Sequence, residues 1–187
     1  PKLGYQQRAF NNLEKLYRVI RPGDVVLVEG RTEMARIISL FTSSHWSHAA
    51  LYVGDRVTPA TGTPGEERAS SRDHHAAHLL VEAFSGEGVT AAPLRKYEDH
   101  NIRICRPYGI RPADLDQVIN RVVAKLGMHY DDQNIIAIAL LALESVWRSG
   151  RKRSIQACLG NCNDYQVICS GMIAQAFQSV GYPIVPA

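Results

Sequence analysis

Runs of apolar residues, separated by turn-forming residues, divide the first part of the chain into short helices and strands. Between residues 9 and 20 the apolar side chains recur at helical spacing, and the pair Pro22-Gly23 then ends the helix. A short helix capped by Thr32 is predicted to extend through Phe41. Strands are predicted for the runs Val25–Val28, Ser47–Val53, Leu79–Phe84, Val89–Ala92 and Ile102–Cys105. Because the connections between these runs are mostly short, we expect antiparallel pairing.

Helical spacing dominates the rest of the chain. Pro112 suits the first turn of a helix, and an apolar stripe continues from there to Leu126. Further helices are predicted over about 134–147 and over Cys169–Val180, the last ending at Gly181. The pattern predicts an α+β fold with a small antiparallel sheet and helices at both ends of the chain.

Length and composition place the chain among ordinary globular proteins. Its 187 residues suffice for one domain, and 45% are hydrophobic while 21% are charged. The net charge of +3 comes from scattered basic residues and does not favour nucleic acid as a partner. No run approaches the ~18 apolar residues of a membrane span, and no secretory signal is visible. The chain begins at Pro1 rather than methionine, so the question whether a segment precedes it is left open, and the cellular compartment is undetermined.

Four cysteines are too few for a disulfide scaffold. Cys158 and Cys162 are spaced for a local disulfide, or for a zinc site completed by Cys169 and a histidine. No histidine lies near this pair in sequence, so we expect neither a metal nor a cofactor. Whether the two cysteines form a disulfide is left open.

Cys169 has the setting of a reactive thiol. It follows the apolar pair Val167-Ile168 and begins an amphipathic helix. The unpaired N–H groups and partial positive charge of a helix N-terminus favour the thiolate, which is the nucleophilic form, and can stabilise an oxyanion. The small neighbours Ser170 and Gly171 let a substrate approach. The simpler interpretation is a structural cysteine at a helix start.

His48 is the histidine best placed for chemistry. Strand alternation puts it on one face with Ala50 and Tyr52, and the small Ala50 is expected to leave space in front of the imidazole ring. In isolation, a core histidine or an exposed strand residue explains His48 equally well.

Glu82 interrupts the strand Leu79–Phe84, which is otherwise apolar on both faces. A buried carboxylate there costs on the order of several kcal/mol unless it is paired. A histidine on a neighbouring strand is one partner, and its ring would then be fixed in one tautomer. An ion pair with an arginine such as Arg103 is the structural alternative.

Four segments occur in an order that resembles the circularly permuted NlpC-type papain-like hydrolases, most closely the YiiX/YaeF group. In that family the histidine comes first, the acidic residue second and the cysteine last. The segments are RPGDVVLV at 21–28, SHAALYVG at 47–54, VEA at 81–83 and ICSG at 168–171. The resemblance covers about Arg21 to Ile184. It implies a single bacterial-type domain over residues 1–187, with permuted papain-like topology, a barrel-like sheet and elaborations at about 56–78 and 132–165.

The same resemblance implies the site residues. Cys169 would be the nucleophile, His48 the base and Glu82 the residue that orients the histidine. Candidate substrate or oxyanion contacts are Ser170, Tyr52 and Tyr130, the last in a Gly-x-x-Tyr segment typical of the wider superfamily. The segment between this tyrosine and the cysteine is longer than in many relatives.

The expected activity is hydrolysis of a peptide or cell-wall-type amide through a thioacyl-enzyme, without a cofactor. A lipid or thioester acyl hydrolase or acyltransferase on the same fold is the alternative. The apolar helix at 134–147 and the basic residues Arg148 and Arg151–Arg153 favour it modestly, with peripheral contact to a membrane. A non-catalytic ligand-binding module is the alternative of another class. The oligomeric state is not indicated.

Overall fold

The computed structural model describes residues 10–32, 35, 36, 38, 39, 43–57, 78–84, 87–128, 169–182 and 184. Three helices and five strands make up most of these residues. They are α1 (Leu13–Val19), β1 (Val25–Val28), β2 (His48–Gly54), β3 (Leu79–Phe84), β4 (Gly88–Pro93), a 3₁₀ helix (Leu94–Tyr97), β5 (Ile102–Cys105), α2 (Pro112–Val123) and α3 (Cys169–Gln178).

All five strands belong to one antiparallel sheet, in the order β4-β3-β2-β1-β5. The chain runs from β1 to β4 as a meander, and β5 then returns to pair with the other side of β1. In the β1–β2 pair, Val28 lies opposite His48 and Val25 lies opposite Leu51. Among the described residues the edge strands β4 and β5 do not pair with each other, so the sheet is open rather than closed into a barrel. The α+β fold with an antiparallel sheet is as predicted.

Strand alternation divides the buried side chains between two faces of the sheet. We call the first face the one that packs against α2 and α3, and the second face the one that packs against α1 and the 3₁₀ helix. The first face carries Ala49, Leu51, Val53, Val81, Ala83 and Val89. The second face carries Val26, Val28, Ala50, Tyr52 and Leu80, covered by Leu16, Ile20, Leu94 and Tyr97. The centre of the sheet is therefore covered by helices on both faces.

The turn before β1 is fixed by a buried aspartate. Asp24 is 1% exposed, and Arg106, just after β5, binds both of its carboxylate oxygens at 2.8 and 2.7 Å. Gly23 has φ +93°, and a Cβ there would come within 2.5 Å of Leu115 in α2. The positive φ therefore favours glycine, and the Leu115 side chain occupies the space that a Cβ would take. The segment RPGD before β1 thus contacts the residue that follows β5 and the side chain of Leu115 in α2.

Helices α2 and α3 begin where the sequence predicts but end earlier, whereas α1 (Leu13–Val19) is shorter at both ends than the helical spacing over residues 9–20 predicts. Asn12 caps α1 by accepting a hydrogen bond from the Lys15 backbone N–H at 2.9 Å. Helix α2 ends at Val123, before the predicted Leu126, and a turn leads to Gly127 at φ +80°. Helix α3 ends at Gln178, two residues before the predicted end.

Several predictions fall partly or wholly outside the described residues. Residues 35, 36, 38 and 39 are helical, and the Thr32 hydroxyl accepts from the Ala35 N–H at 3.1 Å, as a cap would. The remainder of the helix predicted to Phe41 lies outside, as do most of 56–78 and all of 132–165. The single domain with two elaborations therefore stays a prediction.

Candidate active site

Cys169 is the first residue of α3 and packs at the margin of the first-face core. The backbone N–H groups of Ala49 and Ser170 hydrogen-bond its sulfur. Because the first N–H groups of a helix have no partner within the helix, they are available to a sulfur anion or to a bound oxygen. The local sequence therefore gives the thiol an environment that favours its charged form.

His48 is the first residue of β2, and its side chain is 12% exposed. Its imidazole hydrogen-bonds the Cys169 side chain, and Nε2 lies 3.2 Å from Oε2 of Glu82. Since Nε2 faces the carboxylate, Nδ1 is the ring nitrogen left for the sulfur. Phe84 stacks on the imidazole with 4.6 Å between ring centroids, so the space expected beside Ala50 is filled by an aromatic ring.

Glu82 is completely buried, and both of its carboxylate oxygens are bonded. Oε1 accepts from Lys96 Nζ at 2.7 Å, and Oε2 accepts from the Tyr97 hydroxyl as well as facing His48. Arg103, the alternative ion-pair partner, lies on β5, which β1 and β2 separate from β3. The cation that pairs with Glu82 is therefore Lys96, not Arg103.

The charges of the three side chains support one another. Burial opposes the imidazolium, but the hydrogen bonds and charges of Cys169 and Glu82 outweigh it and raise the pKa of His48 to about 9. Burial likewise disfavours the thiolate and the carboxylate. The hydrogen bond and charge of His48 nonetheless lower the pKa of Cys169. Hydrogen bonds from His48, Lys96 and Tyr97 lower the pKa of Glu82. The directions of these shifts favour a thiolate–imidazolium pair beside a carboxylate.

The three other predicted contact residues differ in position. Ser170 is exposed, adjoins the thiol and lines a pocket described below. Tyr52 is 4% exposed in the second-face core, and its hydroxyl hydrogen-bonds Nδ1 of His78 at 2.7 Å. Because that hydroxyl is engaged inside the core, the geometry does not favour Tyr52 as a substrate contact. Tyr130 lies outside the described residues.

Sequence reasoning missed Phe84, Lys96 and Tyr97. Phe84 read as the apolar end of a strand, although it lies two positions after Glu82 and therefore shares its face. Lys96 and Tyr97 lie in a short polar segment between two strands, which reads as an ordinary connection. The available signal was the presence of Glu82 in an otherwise apolar strand, because a buried acid requires donors from some part of the chain.

An apolar pocket of about 350 Å³ opens beside the thiol, on the first face of the sheet. It lies between β1, the end of β5 and helix α3, and Ser170 and Ala49 form the part of its wall next to Cys169. Its lining consists of Val25, Leu27, Ala49, Cys105, Arg106, Pro107, Ser170, Ile173, Phe177, Tyr182 and Ile184. The volume and apolar character are those of a small-ligand site.

Within the described ranges, no three histidine, cysteine or acidic side chains are grouped so as to hold a metal ion. Cys158 and Cys162, the predicted alternative zinc ligands, are outside those ranges. Cys105 and Cys169 are both free thiols. No helix in the part of the chain described is both long and apolar enough to cross a bilayer.

A thiol at a helix start, a strand histidine and a buried carboxylate define the arrangement of the papain-like class, here in permuted chain order. Comparison with known families agrees: the profile of the permuted papain-like amidases, YaeF/YiiX (peptidase family C92), matches residues 19–136. The chain belongs to this family of permuted papain-like amidases. The matched range includes His48 and Glu82 and ends before Cys169.

One solved structure with the same fold is YiiX from Escherichia coli O157:H7, which is described as a metalloprotein. It is 16% identical in sequence with a TM-score of 0.52, and the match covers 86% of this chain. The chain spans 66% of the length of that protein. This likeness concerns the fold. A search of curated proteins gives no match.

Proposed function

We propose that the protein is a thiol-dependent amidase in which Cys169 is the nucleophile, His48 the general acid–base and Glu82 the residue that holds the imidazole. The observation that carries the proposal is the contact chain from the Cys169 thiol through the His48 ring to the Glu82 carboxylate. Each link favours the charged form of the next, as a nucleophile–base–orienter set requires.

The mechanism begins with the thiolate attacking the carbonyl carbon of the scissile amide. The backbone N–H of Cys169, at the start of α3, stabilises the resulting oxyanion, with a second donor that we assign to Tyr130. When the C–N bond breaks, the amine leaves with the proton of the His48 imidazolium. Water then attacks the thioester, its proton passes to Nδ1 of His48, and the carboxylic acid product leaves the regenerated thiolate.

Glu82 takes no proton in this sequence. Its low pKa keeps it charged, so the Nε2–H of His48 always has an acceptor and Nδ1 stays directed at the sulfur. The carboxylate also stabilises the imidazolium, which is present before the amine leaves and forms again when water gives its proton to Nδ1. Ser170 lies where a substrate enters from the pocket side, and its small side chain leaves room for the acyl group.

The preferred substrate is a peptide or cell-wall-type amide. A lipid or other apolar acyl group is the second candidate, and the pocket beside Ser170 supports it because most of the pocket wall is aliphatic or aromatic. A chain-length series of acyl amides separates the two. If the substrate is a lipid acyl group, we expect turnover to increase with acyl length. We also expect an Ile173→Trp variant to lose this dependence. If peptide amides are turned over at a rate that depends neither on acyl length nor on the Ile173→Trp substitution, the first candidate is supported.

The direct test is a turnover assay on a peptidoglycan digest and on a phospholipid panel. We expect one of them to be hydrolysed by the unmodified protein and by a control with the exposed α1 residue Lys15 changed, Lys15→Met, and not by Cys169→Ala. Turnover that survives in Cys169→Ala contradicts the proposal. Absence of any turnover, together with a Cys169 that is no more reactive than an ordinary thiol, favours a non-catalytic binding module.

The proposal uses no metal. The E. coli structure is described as that of a metalloprotein, but the residues described in this chain offer no group of three metal-binding side chains. Cys169 and His48 are hydrogen-bonded to each other, and the Glu82 carboxylate is bonded by three donors. The described site therefore does not fit a metal, and no step of the mechanism passes through one.

A further inference from the structure

Lys96 joins the two side chains that hold the His48 ring. Its ammonium lies 2.7 Å from Oε1 of Glu82 and 4.2 Å from the centre of the Phe84 ring. Phe84 in turn stacks on the imidazole of His48, and Glu82 bonds its Nε2. The four side chains form a closed ring in which each contacts the next.

We propose that Lys96 is a positioning residue: it fixes Glu82 and Phe84 around His48 and thereby keeps the Cys169–His48 pair in its reactive state. The inference rests on the proposed function, because it assigns a role within the same site. Lys96 itself does not contact the sulfur or a substrate in this arrangement.

The two carboxylate oxygens of Glu82 have different partners, and this supports the positioning role of Lys96. Oε2 meets His48 and the Tyr97 hydroxyl, whereas Oε1 meets Lys96. Without Lys96, Oε1 would be a buried carboxylate oxygen with no cationic partner, and protonation would become easier. A protonated Glu82 no longer stabilises the imidazolium, so the pair reverts to a neutral thiol and a neutral imidazole.

The charged and titratable groups that face Glu82 come from three elements. They are His48 on β2, Lys96 and Tyr97 on the 3₁₀ helix, and Cys169 on α3, which acts through His48. Of these, Lys96 is the group that meets Oε1 of Glu82. Removing the lysine charge therefore favours the protonated form of Glu82.

The 3₁₀ helix that carries Lys96 is held firmly. The side-chain amide of Asn11 donates to the carbonyl oxygens of Tyr97, Glu98 and His100 at 3.0, 3.1 and 2.7 Å. Tyr97 is buried, with the ring of His100 against its edge. The backbone therefore places Lys96 over Phe84 even though the lysine side chain is 40% exposed.

The test compares Lys96→Met, which keeps the aliphatic stem and removes the charge, with Lys96→Arg, which keeps the charge. Lys15→Met is the matched control, because Lys15 is exposed on α1. The measured quantity is the rate of Cys169 alkylation by iodoacetamide as a function of pH, with circular dichroism and thermal melting to verify folding. No natural substrate is needed.

We expect the acid limb of the rate profile to move to higher pH in Lys96→Met. On that limb the rate falls by about three- to tenfold, as for loss of a partly exposed ion pair to a buried acid. The neutral plateau stays unchanged, and Lys96→Arg and Lys15→Met follow the unmodified protein. A Lys96→Met profile that coincides with the unmodified one, with or without a lower melting temperature, overturns the inference, as does an equal shift in Lys96→Arg. If Cys169 of the unmodified protein shows no enhanced reactivity, the proposed function fails instead.

Discussion

Replacing Glu82 by glutamine perturbs the centre of the site with the least change in shape. The carboxylate is fully buried and lies between Lys96 at 2.7 Å and His48 at 3.2 Å, with Tyr97 as a third donor. A glutamine amide has one acceptor oxygen and one donor nitrogen. One of the partners therefore meets an N–H group instead of an oxygen, and the negative charge is lost.

The magnitude follows from the charge balance at His48. Its pKa of about 9 exceeds the ordinary value of 6.5 although burial alone would lower it, and Glu82 is one of the two side chains that raise it. Loss of the carboxylate should lower this pKa by about 1–2 units. Each unit corresponds to about 1.4 kcal/mol, so the thiolate–imidazolium pair loses about 1.4–2.8 kcal/mol relative to the neutral pair.

The assay is a pH titration of the His48 ring by NMR in ¹⁵N-histidine-labelled protein, alongside the alkylation rate of Cys169. Glu87→Gln is the control, because Glu87 is exposed and its substitution has the same chemistry. We expect Glu82→Gln to lower the His48 pKa and to slow alkylation near neutral pH, and Glu87→Gln to do neither. A His48 pKa that stays within about 0.3 units in folded Glu82→Gln refutes the reasoning.

The same variant changes the dependence of stability on acid. Because the folded state holds the pKa of Glu82 below its ordinary value of 4.5, it gains stability that is present above that value and is lost as the pH falls below it. Urea unfolding between about pH 5 and pH 3 should therefore show a flatter stability profile for Glu82→Gln than for the unmodified protein. Parallel profiles would show that Glu82 does not titrate differently in the folded and unfolded states.

Three further substitutions test other parts of the account. Asp24→Asn should lower the free energy of unfolding by about 2–3 kcal/mol in urea, because it removes the buried negative charge and one of the two oxygens that accept from Arg106; a loss below about 0.5 kcal/mol contradicts this. Gly23→Ala should destabilise by about 1–3 kcal/mol, since φ is positive and Leu115 occupies the space for a Cβ; unchanged thermal melting would show that the turn relaxes freely. Cys105→Ser should leave the fast-reacting thiol intact in peptide mapping, and loss of that reaction would assign it to Cys105.

The strands could be predicted because their apolar runs are short, rich in β-branched residues and bounded by turns. The two faces of β2 followed from alternation alone, and Ala50 and Leu51 lie on opposite sides as expected. The barrel-like sheet was not predictable from such patterns, because closure depends on whether the edge strands meet, and in the described residues the sheet is open. Strand pairing across β4 and β5 is a long-range property that local sequence does not encode.

The candidate site was predictable in its centre and not in its periphery. Cys169, His48 and Glu82 each have an ordinary structural explanation, but their chain order and flanking segments together match those of a known family. Lys96 and Tyr97 attract no notice, because a lysine and a tyrosine in a short connection suit a solvated turn. Their role comes from the crossing of the chain from β4 to β5, which brings the 3₁₀ helix over the second face beside Glu82.

The central claim is that Cys169 and His48 form a reactive ion pair. Brief treatment with limiting iodoacetamide at a pH of about 6, followed by mass-spectrometric quantitation of each cysteine peptide, tests it most directly. The account predicts that Cys169 is modified at least about tenfold faster than the other cysteines, and that His48→Ala abolishes this preference. If Cys105, Cys158 or Cys162 is modified first, or if His48→Ala leaves the rate at Cys169 unchanged, the account is contradicted.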